Sequence, residues 1–521
     1  TSVTIPSTIT SIGVSVVAYA KNLKTVTFES NSNLTKFSNY MFNGCSSLES
    51  VDMTGLTALK FMAKQTFEGA AIKSITIPES VEHLGSTANR PATIAASVKL
   101  FYECHQLTTV VLPSGLKTIG SLIFGKTSKL TSVTYNGYDG DKDKVVLPKT
   151  LTLVGDEAFR ESGIKTADLS QLSKTAKLGK YLFSGCKSLT SVELNKDITA
   201  FSNYMFEGCS ALAEFDLSKY KSVTKVFDGM FKDSGIENIT IPDGMTLISK
   251  NAFENAALRR ITLSKTVVTI NSTAFKNTKL TSIDLTYVSS IGASAFEGCA
   301  ELVNAVLGAN VLVLPKNCFY GCSMLKQIDL PVALTEIADG AFASSGLESI
   351  KLPSYLNKIG KNAFANCANL KSVIFEGSVS IIDNNAFANC GTLDEFTLPE
   401  GVATIGDYAF LNAAIKHGYI PASVTKIGVG AFGGCNGITA FEVSPDNLLY
   451  RATVDGLLID ANDALVAYPA GKTDIDLTGI ETISANMFAG TSLTNIVVPK
   501  TVKAIGEYAF AYSKHLQKVS F

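Results

Sequence analysis

One pattern of apolar and polar positions recurs along the chain. It reads AFEGCAELVNAVL at residues 295–307, AFANCANLKSVIF at 363–375 and AFANCGTLDEFTL at 386–398. In most units a large apolar residue lies five positions before a phenylalanine, a small residue lies three positions after it, and a segment of the form LxxVxL follows. The phenylalanine slot occurs in 20 units, most of them spaced by 21 to 25 residues, and Val17 occupies it in the first unit. The other members are Phe42, Phe67, Phe101, Phe124, Phe159, Phe183, Phe206, Phe231, Phe253, Phe275, Phe296, Phe319, Phe342, Phe364, Phe387, Phe410, Phe432, Phe488 and Phe510.

The LxxVxL segment predicts one short β-strand in each unit. Residues two apart share a face of a strand, so Val373 and Phe375 are expected to point inward and their neighbours outward. Proline commonly closes the segment, as at Pro353 and Pro399, and proline suits the end of a strand because it cannot donate a ladder hydrogen bond. One unit cannot bury its own apolar side chains, so neighbouring units are expected to stack.

The repeat length predicts the fold class. It falls within the leucine-rich-repeat range of about 20 to 29 residues. The predicted fold is an α/β-type solenoid dominated by β structure: a right-handed leucine-rich-repeat superhelix of about 20 units with a parallel sheet on its concave face.

The repeat register predicts a single continuous solenoid over residues 1–521, with departures at three places. Extensions are expected near residues 84–100 and 135–150, and an insertion near 443–475 fills the gap of 56 residues between Phe432 and Phe488. The insertion is predicted to be a β-hairpin in which residues 457–459 pair with residues 465–467 across the polar turn 460–463. Two strands alone are marginal in water, so the hairpin should pack on the flank of the solenoid.

The recurring phrase AFxxCxxLxxVxLPxxVxxIG resembles the BspA-like leucine-rich repeats of bacterial and protozoan surface proteins. The segment YRATVDGLLIDANDALVAYPAGKT, residues 450–473, is similar to an insertion found among such proteins in gut bacteria. The resemblance implies a role in adhesion to host proteins or other cells, at the cell surface or after secretion, and it identifies no ligand.

Composition narrows the choice of partners. The 45 basic and 46 acidic residues give a net charge of -1, so no basic excess would draw the chain onto nucleic acid or anionic membranes. No apolar run approaches the roughly 20 residues needed to span a bilayer, which argues against membrane insertion within this sequence. The first residues form no signal peptide, so an export signal is expected outside this sequence.

The stretch GSLIFGKT, residues 120–127, fits the phosphate-binding template GxxxxGK[ST]. A true phosphate-binding loop lies between a buried strand and a helix. Here Gly120 belongs to the recurrent Ile-Gly step and Phe124 is a repeat phenylalanine. The match therefore follows from the repeat pattern, and nucleotide binding is not expected.

Nine of the ten cysteines occupy one repeat slot, three residues after the phenylalanine. Free cysteine behaves as a small buried hydrophobe, which favours packed thiols. The alternative is a disulfide framework, but adjacent parallel strands lie about 4.8 Å apart, which separates Cβ atoms by more than a disulfide prefers.

Sequence motifs for metal binding and catalysis are sparse. The four histidines are scattered, and the run YDGDKDK at 138–144 has Lys144 where a calcium-binding EF-hand loop requires glycine, so a solvated turn is predicted. No cofactor or metal is predicted, and no nucleophile, base and orienting group converge, so the chain is not expected to be an enzyme.

Candidate binding residues lie in the outward columns of the LxxVxL strands. Asp168, Glu193 and Asp216 fall in consecutive units and should repel one another unless a cation, a basic partner or neighbouring basic residues relieve them. Other candidate contacts in the outward columns are Glu214, Thr240 and Arg260. A purely structural explanation stays open, because threonine suits strands and acids keep an exposed sheet soluble.

The predicted function is a surface or secreted recognition scaffold that binds a protein or glycan through its concave face or flank. The alternative is a structural spacer that presents another domain, and an enzyme ranks last. A spacer of roughly 20 units at about 4.8 Å each would span on the order of 100 Å along the arc.

Overall fold

The computed structural model describes residues 1–85, 97–488, 491 and 493–521. The chain divides into two compact units, Thr1–Thr266 and Val267–Phe521. Each unit is a β-solenoid whose strands pair almost entirely in parallel with the corresponding strands of neighbouring coils. The described residues contain one helix, the 3-10 turn Leu217–Lys219, so the predicted solenoid dominated by β structure is confirmed. One continuous solenoid over 1–521 stays a prediction.

The LxxVxL segments form parallel sheets with buried and exposed residues in alternation, as in Ser191–Leu194. In the first unit the strands of this side are Ser2–Ile5, Thr25–Phe28, Ser50–Asp52, Ser74–Thr76, Thr109–Leu112, Ser132–Tyr135, Val145–Val146, Thr166–Leu169, Ser191–Leu194, Asn238–Ile241 and Arg260–Leu263. In the second unit they are Ser282–Leu285, Asn304–Leu307, Ser349–Leu352, Ser372–Phe375, Gly418–Ile420, Phe441–Val443, Asn495–Val497 and Lys518–Ser520.

The prediction of one strand in each unit is wrong, because most coils contain a second, two-residue strand. Except in His83–Leu84, this strand contains the large apolar residue that lies five positions before the phenylalanine, and it pairs in parallel with its neighbours, as Lys358–Ile359 does with Ile381–Ile382. In the first unit these strands are Phe61–Met62, His83–Leu84, Thr118–Ile119, Leu153–Val154, Lys177–Leu178, Lys225–Val226 and Leu247–Ile248. In the second they are Thr269–Ile270, Ser290–Ile291, Val313–Leu314, Glu336–Ile337, Lys358–Ile359, Ile381–Ile382, Thr404–Ile405, Lys426–Ile427, Thr482–Ile483 and Ala504–Ile505.

The turn around most repeat phenylalanines forms the third hydrogen-bonded side of a coil. The N–H of Phe364 donates to the carbonyl of Ala386 at 2.8 Å, and the N–H of Asn366 donates to that of Ala388 at 2.8 Å. Asn362 and Asn366, two residues to either side, have φ of 55° and 61°, a left-handed conformation that asparagine and glycine tolerate best. We call this side the turn flank.

The phenylalanine rings stack along the interior of each unit. Phe364 and Phe387 are fully buried, and their ring centroids lie 5.0 Å apart at an interplanar angle of 4°. The rings of Phe67 and Phe101 in the first unit are 5.4 Å apart. The predicted stack of repeat aromatics is confirmed.

All ten cysteines lie in the described part of the chain and are buried and free. The thiol of Cys390 donates to the carbonyl oxygen of Phe364 at 3.2 Å, and that of Cys104 donates to Phe67 at 2.9 Å. Burial raises the pKa of Cys104 to about 12. The packing interpretation is confirmed, and the nine thiols of the repeat slot each donate to a backbone carbonyl of the preceding coil.

The predicted departures from the repeat differ in structure. Of the extension near 84–100, residues 86–96 lie outside the described residues. In the extension near 135–150, residues 139–143 are exposed and form no strand, in agreement with the predicted solvated turn. The chain then returns as the strand Val145–Val146, which pairs with both neighbouring strands of the sheet. The insertion near 443–475 contains three antiparallel strands, Tyr450–Ala452, Leu458–Asp460 and Leu465–Ala467. The last of these also pairs in parallel with Thr482–Ile483.

Candidate functional site

Five of the six candidate residues line one open groove on the LxxVxL side of the first unit. They are Glu193, Glu214, Asp216, Thr240 and Arg260, and the groove has a volume of about 810 Å³. Asp168 lies outside this lining, although it pairs in register with Glu193 across two adjacent strands. We call this feature the strand-side groove.

The groove lies where the parallel sheet is interrupted. Ser191–Leu194 ends a six-stranded sheet, and Asn238–Ile241 belongs to a separate two-stranded sheet. The coil between them replaces a strand with the 3-10 turn Leu217–Lys219. The prediction that this coil contains a strand is therefore wrong, and the outward side chains at 214 and 216 are held by irregular backbone.

Asp216 caps this turn. Its Oδ1 accepts hydrogen bonds from the backbone N–H of Ser218 at 3.0 Å and from the Ser218 hydroxyl at 2.6 Å. A side-chain acceptor for the first free N–H groups is what starts a helical turn. Asp168 makes the same pair of bonds with Ser170, at 3.1 and 2.7 Å. Both aspartates thus have a structural role that the sequence analysis did not assign.

The repulsion expected among the three acids is relieved by lysines of the same chain. Lys219 Nζ lies 3.0 Å from Glu193 Oε2, and Lys144 Nζ lies 3.7 Å from Asp168 Oδ2. Burial alone would raise the pKa of Asp168, but the hydrogen bonds from Ser170 and the charge of Lys144 outweigh it and lower that pKa. The column of acids formed by Asp168, Glu193 and Asp216 can therefore be explained without an external cation.

Two charged side chains of the groove remain without an ionic partner. Glu214 and Arg260 are exposed, and neither has an oppositely charged group within 4 Å among the described residues. Arg260 Nε donates to Asn238 Oδ1 at 2.9 Å, which holds the guanidinium against the neighbouring strand. Unpaired charges at the surface are available to pair with oppositely charged groups of a partner.

Aromatic rings support the floor of the groove. Phe215 and Tyr220 both line it, yet only 9% and 2% of them are exposed. The hydroxyl of Tyr220 accepts a hydrogen bond from the N–H of Leu194 at 3.3 Å, and burial raises the pKa of Tyr220 to about 12. Phe201 packs edge-on against Tyr220 with ring centroids 5.1 Å apart. The floor is therefore packed, and it presents little aromatic surface to a ligand.

Sequence reasoning missed Lys219, Ser218 and Asn238 as parts of this groove. The signal that would have found the first two is the tripeptide Asp-x-Ser at 216–218, because this pairing closes strands or starts turns through the aspartate side chain. The same tripeptide pattern, with threonine, gives equivalent bonds at Asp284 and Thr286.

The phosphate-template stretch 120–127 has no helix in the structure. Thr127 is fully buried, and its hydroxyl donates to the carbonyl of Phe124 at 2.6 Å. Lys126 Nζ lies 3.1 Å from Glu103 Oε1. The template residues are engaged in repeat packing.

The stacked coils, the phenylalanine column and the surface groove define a solenoid repeat protein. A family model described as the BspA type leucine rich repeat region matches in six copies, over residues 1–94, 92–138, 137–259, 246–371, 314–439 and 474–521. The chain belongs to this family, as the sequence resemblance implied.

Several solved structures are similar to the chain. A leucine-rich repeat protein from Bacteroides ovatus is 21% identical, with 85% of this chain and 87% of that chain covered and a TM-score of 0.41. A leucine rich cell surface protein from Faecalibacterium prausnitzii is 23% identical, with 72% and 88% covered and a TM-score of 0.36. The pneumococcal vaccine antigen PcpA is 19% identical, with 67% and 74% covered and a TM-score of 0.36. Among curated proteins, none matches the chain.

Within the described residues, no helix has the length and apolar character required to cross a membrane.

Proposed function

We propose that the chain is a surface or secreted recognition scaffold that binds a protein partner through the strand-side groove. The observation that carries this proposal is the convergence of Glu193, Glu214, Asp216, Thr240 and Arg260 on one groove of about 810 Å³. Repeat proteins of this architecture present extended surfaces for binding, and family membership supports a scaffold. No enzymatic activity is proposed.

The lining favours a peptide segment over a glycan. The groove has three carboxylates, at Glu193, Glu214 and Asp216, against the cations Lys219 and Arg260. Its aromatic floor is buried, so no ring face is presented for a sugar to stack on. A protein segment that places a basic side chain near Glu214 and an acidic one near Arg260 matches the unpaired charges of both signs.

Binding of the intact chain to an array of host proteins and glycans tests the proposal. We expect binding to proteins in the array, and we expect the double variant Glu214→Gln/Arg260→Gln to weaken it about tenfold. Neither residue has an ionic partner in the described chain, and the hydrogen bond from Arg260 to Asn238 is exposed, so the stability of the variant should change by less than about 0.5 kcal/mol.

The matched control is the double variant Glu442→Gln/Lys351→Gln. These two exposed residues hold outward strand positions in the second unit, and their loss should leave binding intact. Equal loss of binding in both variants would place recognition outside the groove. A chain that binds nothing in the array would act as a spacer that presents another domain.

A further inference from the structure

A second, smaller groove lies on the turn flank of the second unit. It has a volume of about 320 Å³ and spans three consecutive coils. Its middle coil contributes Gly340 and Ala343, which are buried. Because these residues are small, the side chains of the flanking coils stand above them as walls. We call this feature the turn-flank groove.

One wall has an exposed aromatic ring. Tyr320 is 42% exposed, and it follows the repeat phenylalanine directly in the sequence. The next two coils have Ala343 and Ala365 in the same position, 4% and 5% exposed. The tyrosine thus stands beside a shallow floor of methyl groups, with its phenolic hydroxyl available for hydrogen bonding.

Three amide side chains line the same groove: Asn317, Asn362 and Asn366. The Asn317 Oδ1 lies over Gly340, where a side chain would collide with it. Asn366 Oδ1 accepts a hydrogen bond from Asn389 Nδ2 at 2.9 Å, which leaves the Asn366 amino group without a hydrogen bond among the described residues. Each amide can donate and accept through one planar group.

The charged side chains that line the turn-flank groove have a net positive charge. Lys316 and Lys361 both line it, and neither ammonium lies within 4 Å of a carboxylate of the described chain. The one acid of the lining, Asp339, already accepts the backbone N–H of Lys361 through Oδ1 at 2.9 Å. An anionic ligand group would find two unpaired cations here.

We propose that the turn-flank groove binds an acidic sugar residue, such as a uronic or sialic acid unit of a glycan. The carboxylate of the sugar pairs with Lys316 and Lys361, neighbouring hydroxyls pair with the asparagine amides, and the apolar face of the ring packs on Tyr320. The volume of about 320 Å³ lies at the small end of ligand pockets, which run from about 300 to 1,000 Å³.

An acidic peptide fits this groove less well. Such a peptide could pair its side chains with the lysines and its backbone with the amides, but acidic side chains present no ring face to Tyr320. A sugar acid combines all three features, because its adjacent hydroxyls donate and accept as the amide groups do and its ring has an apolar face. This site lies wholly within the second unit and does not depend on the strand-side groove.

Saturation-transfer NMR on the intact chain tests the proposal with four probes: glucuronic acid, N-acetylneuraminic acid, glucose and a tetraglutamate peptide. We expect transfer to at least one of the acidic sugars, weaker transfer to glucose and to the peptide, and a loss of affinity as salt is added. The double variant Lys316→Gln/Lys361→Gln should bind the acidic sugar about tenfold more weakly. Tyr320→Ala should reduce transfer to the ring protons of the sugar.

Two control variants make the test specific. Tyr355 is 69% exposed and Lys426 is exposed, and both belong to the second unit but lie outside the groove. Tyr355→Ala and Lys426→Gln should bind the sugar as the parent chain does. The proposal is overturned if the acidic sugars give no transfer, if the groove variants bind as well as the controls, or if the peptide binds as tightly as the sugars.

Discussion

Replacing Phe364 with alanine tests the stacked interior. The ring is fully buried, and its centroid lies 5.4 Å from that of Phe342 and 5.0 Å from that of Phe387. The substitution removes the transfer free energy of a large side chain, about 1.5–3 kcal/mol, and two ring pairs of about 0.5–1.5 kcal/mol each. It also leaves a cavity that the packed coils cannot close.

We expect Phe364→Ala to lower the free energy of unfolding by about 3–5 kcal/mol. Phe364→Leu keeps most of the volume and loses only the ring pairs, so it should cost about 1–3 kcal/mol. Tyr355→Ala removes an aromatic ring that is 69% exposed and should cost less than about 0.5 kcal/mol.

The assay is urea unfolding followed by far-ultraviolet circular dichroism, because the chain has no tryptophan for fluorescence. Amide hydrogen exchange shows which coils the substitution destabilises. Since a repeat interacts mainly with its neighbours, exchange should accelerate most at the amides of Phe342, Phe364 and Phe387, which bridge consecutive coils. If Phe364→Ala costs no more than Tyr355→Ala, the stacked rings do not stabilise the fold.

Two further predictions concern the thiols and Asp168. A thiol reagent should label none of the ten buried cysteines in the native chain and ten in the urea-unfolded chain without reductant, whereas fewer than ten after unfolding would indicate disulfides. Because Ser170 and Lys144 lower the pKa of Asp168 below its ordinary value of 3.8 despite its partial burial, the carboxylate stabilises the fold above that value and loses this contribution as the pH falls through the lowered pKa. Asp168→Asn should therefore be less stable than the parent chain at neutral pH and should lose less stability on acidification. Thermal unfolding at several pH values measures both effects. If the variant and the parent chain lose stability equally on acidification, the Asp168 carboxylate does not stabilise the fold in this way.

The phenylalanine column was predictable because a buried aromatic ring recurs at one spacing, and stacking requires such a residue in each coil. The two-residue strand that contains Ile359 was not predictable from alternation, since two residues are too short to show it. The recurrent isoleucine is visible in the sequence, but this segment becomes a strand only through its hydrogen bonds to neighbouring coils. Likewise, residues two positions from the repeat phenylalanines adopt left-handed turns, and many of them are asparagine or glycine, as at Asn362 and Asn366.

For the candidate site, the outward columns identified five lining residues but not the shape that joins them. The assignment of outward columns assumed that residues 214–217 form a strand, whereas Asp216 caps a 3-10 turn there. Packing of Phe215 and Tyr220 beneath that turn depends on residues of several coils, including Phe201. A one-dimensional pattern contains no such information, so the groove required the structure.

Both grooves arise where one coil departs from the repeat pattern. A regular coil satisfies its backbone and side chains through its neighbours, and it therefore presents a flat and ordinary surface. In the strand-side groove the departure is the turn capped by Asp216, and in the turn-flank groove it is Gly340, which lies between Asn317 and Asn362 of the two flanking coils. Because stability is summed over many similar coils, one irregular coil costs little of the total. The irregular coils are therefore the places at which binding surfaces can differ between members of a repeat family while the fold is kept.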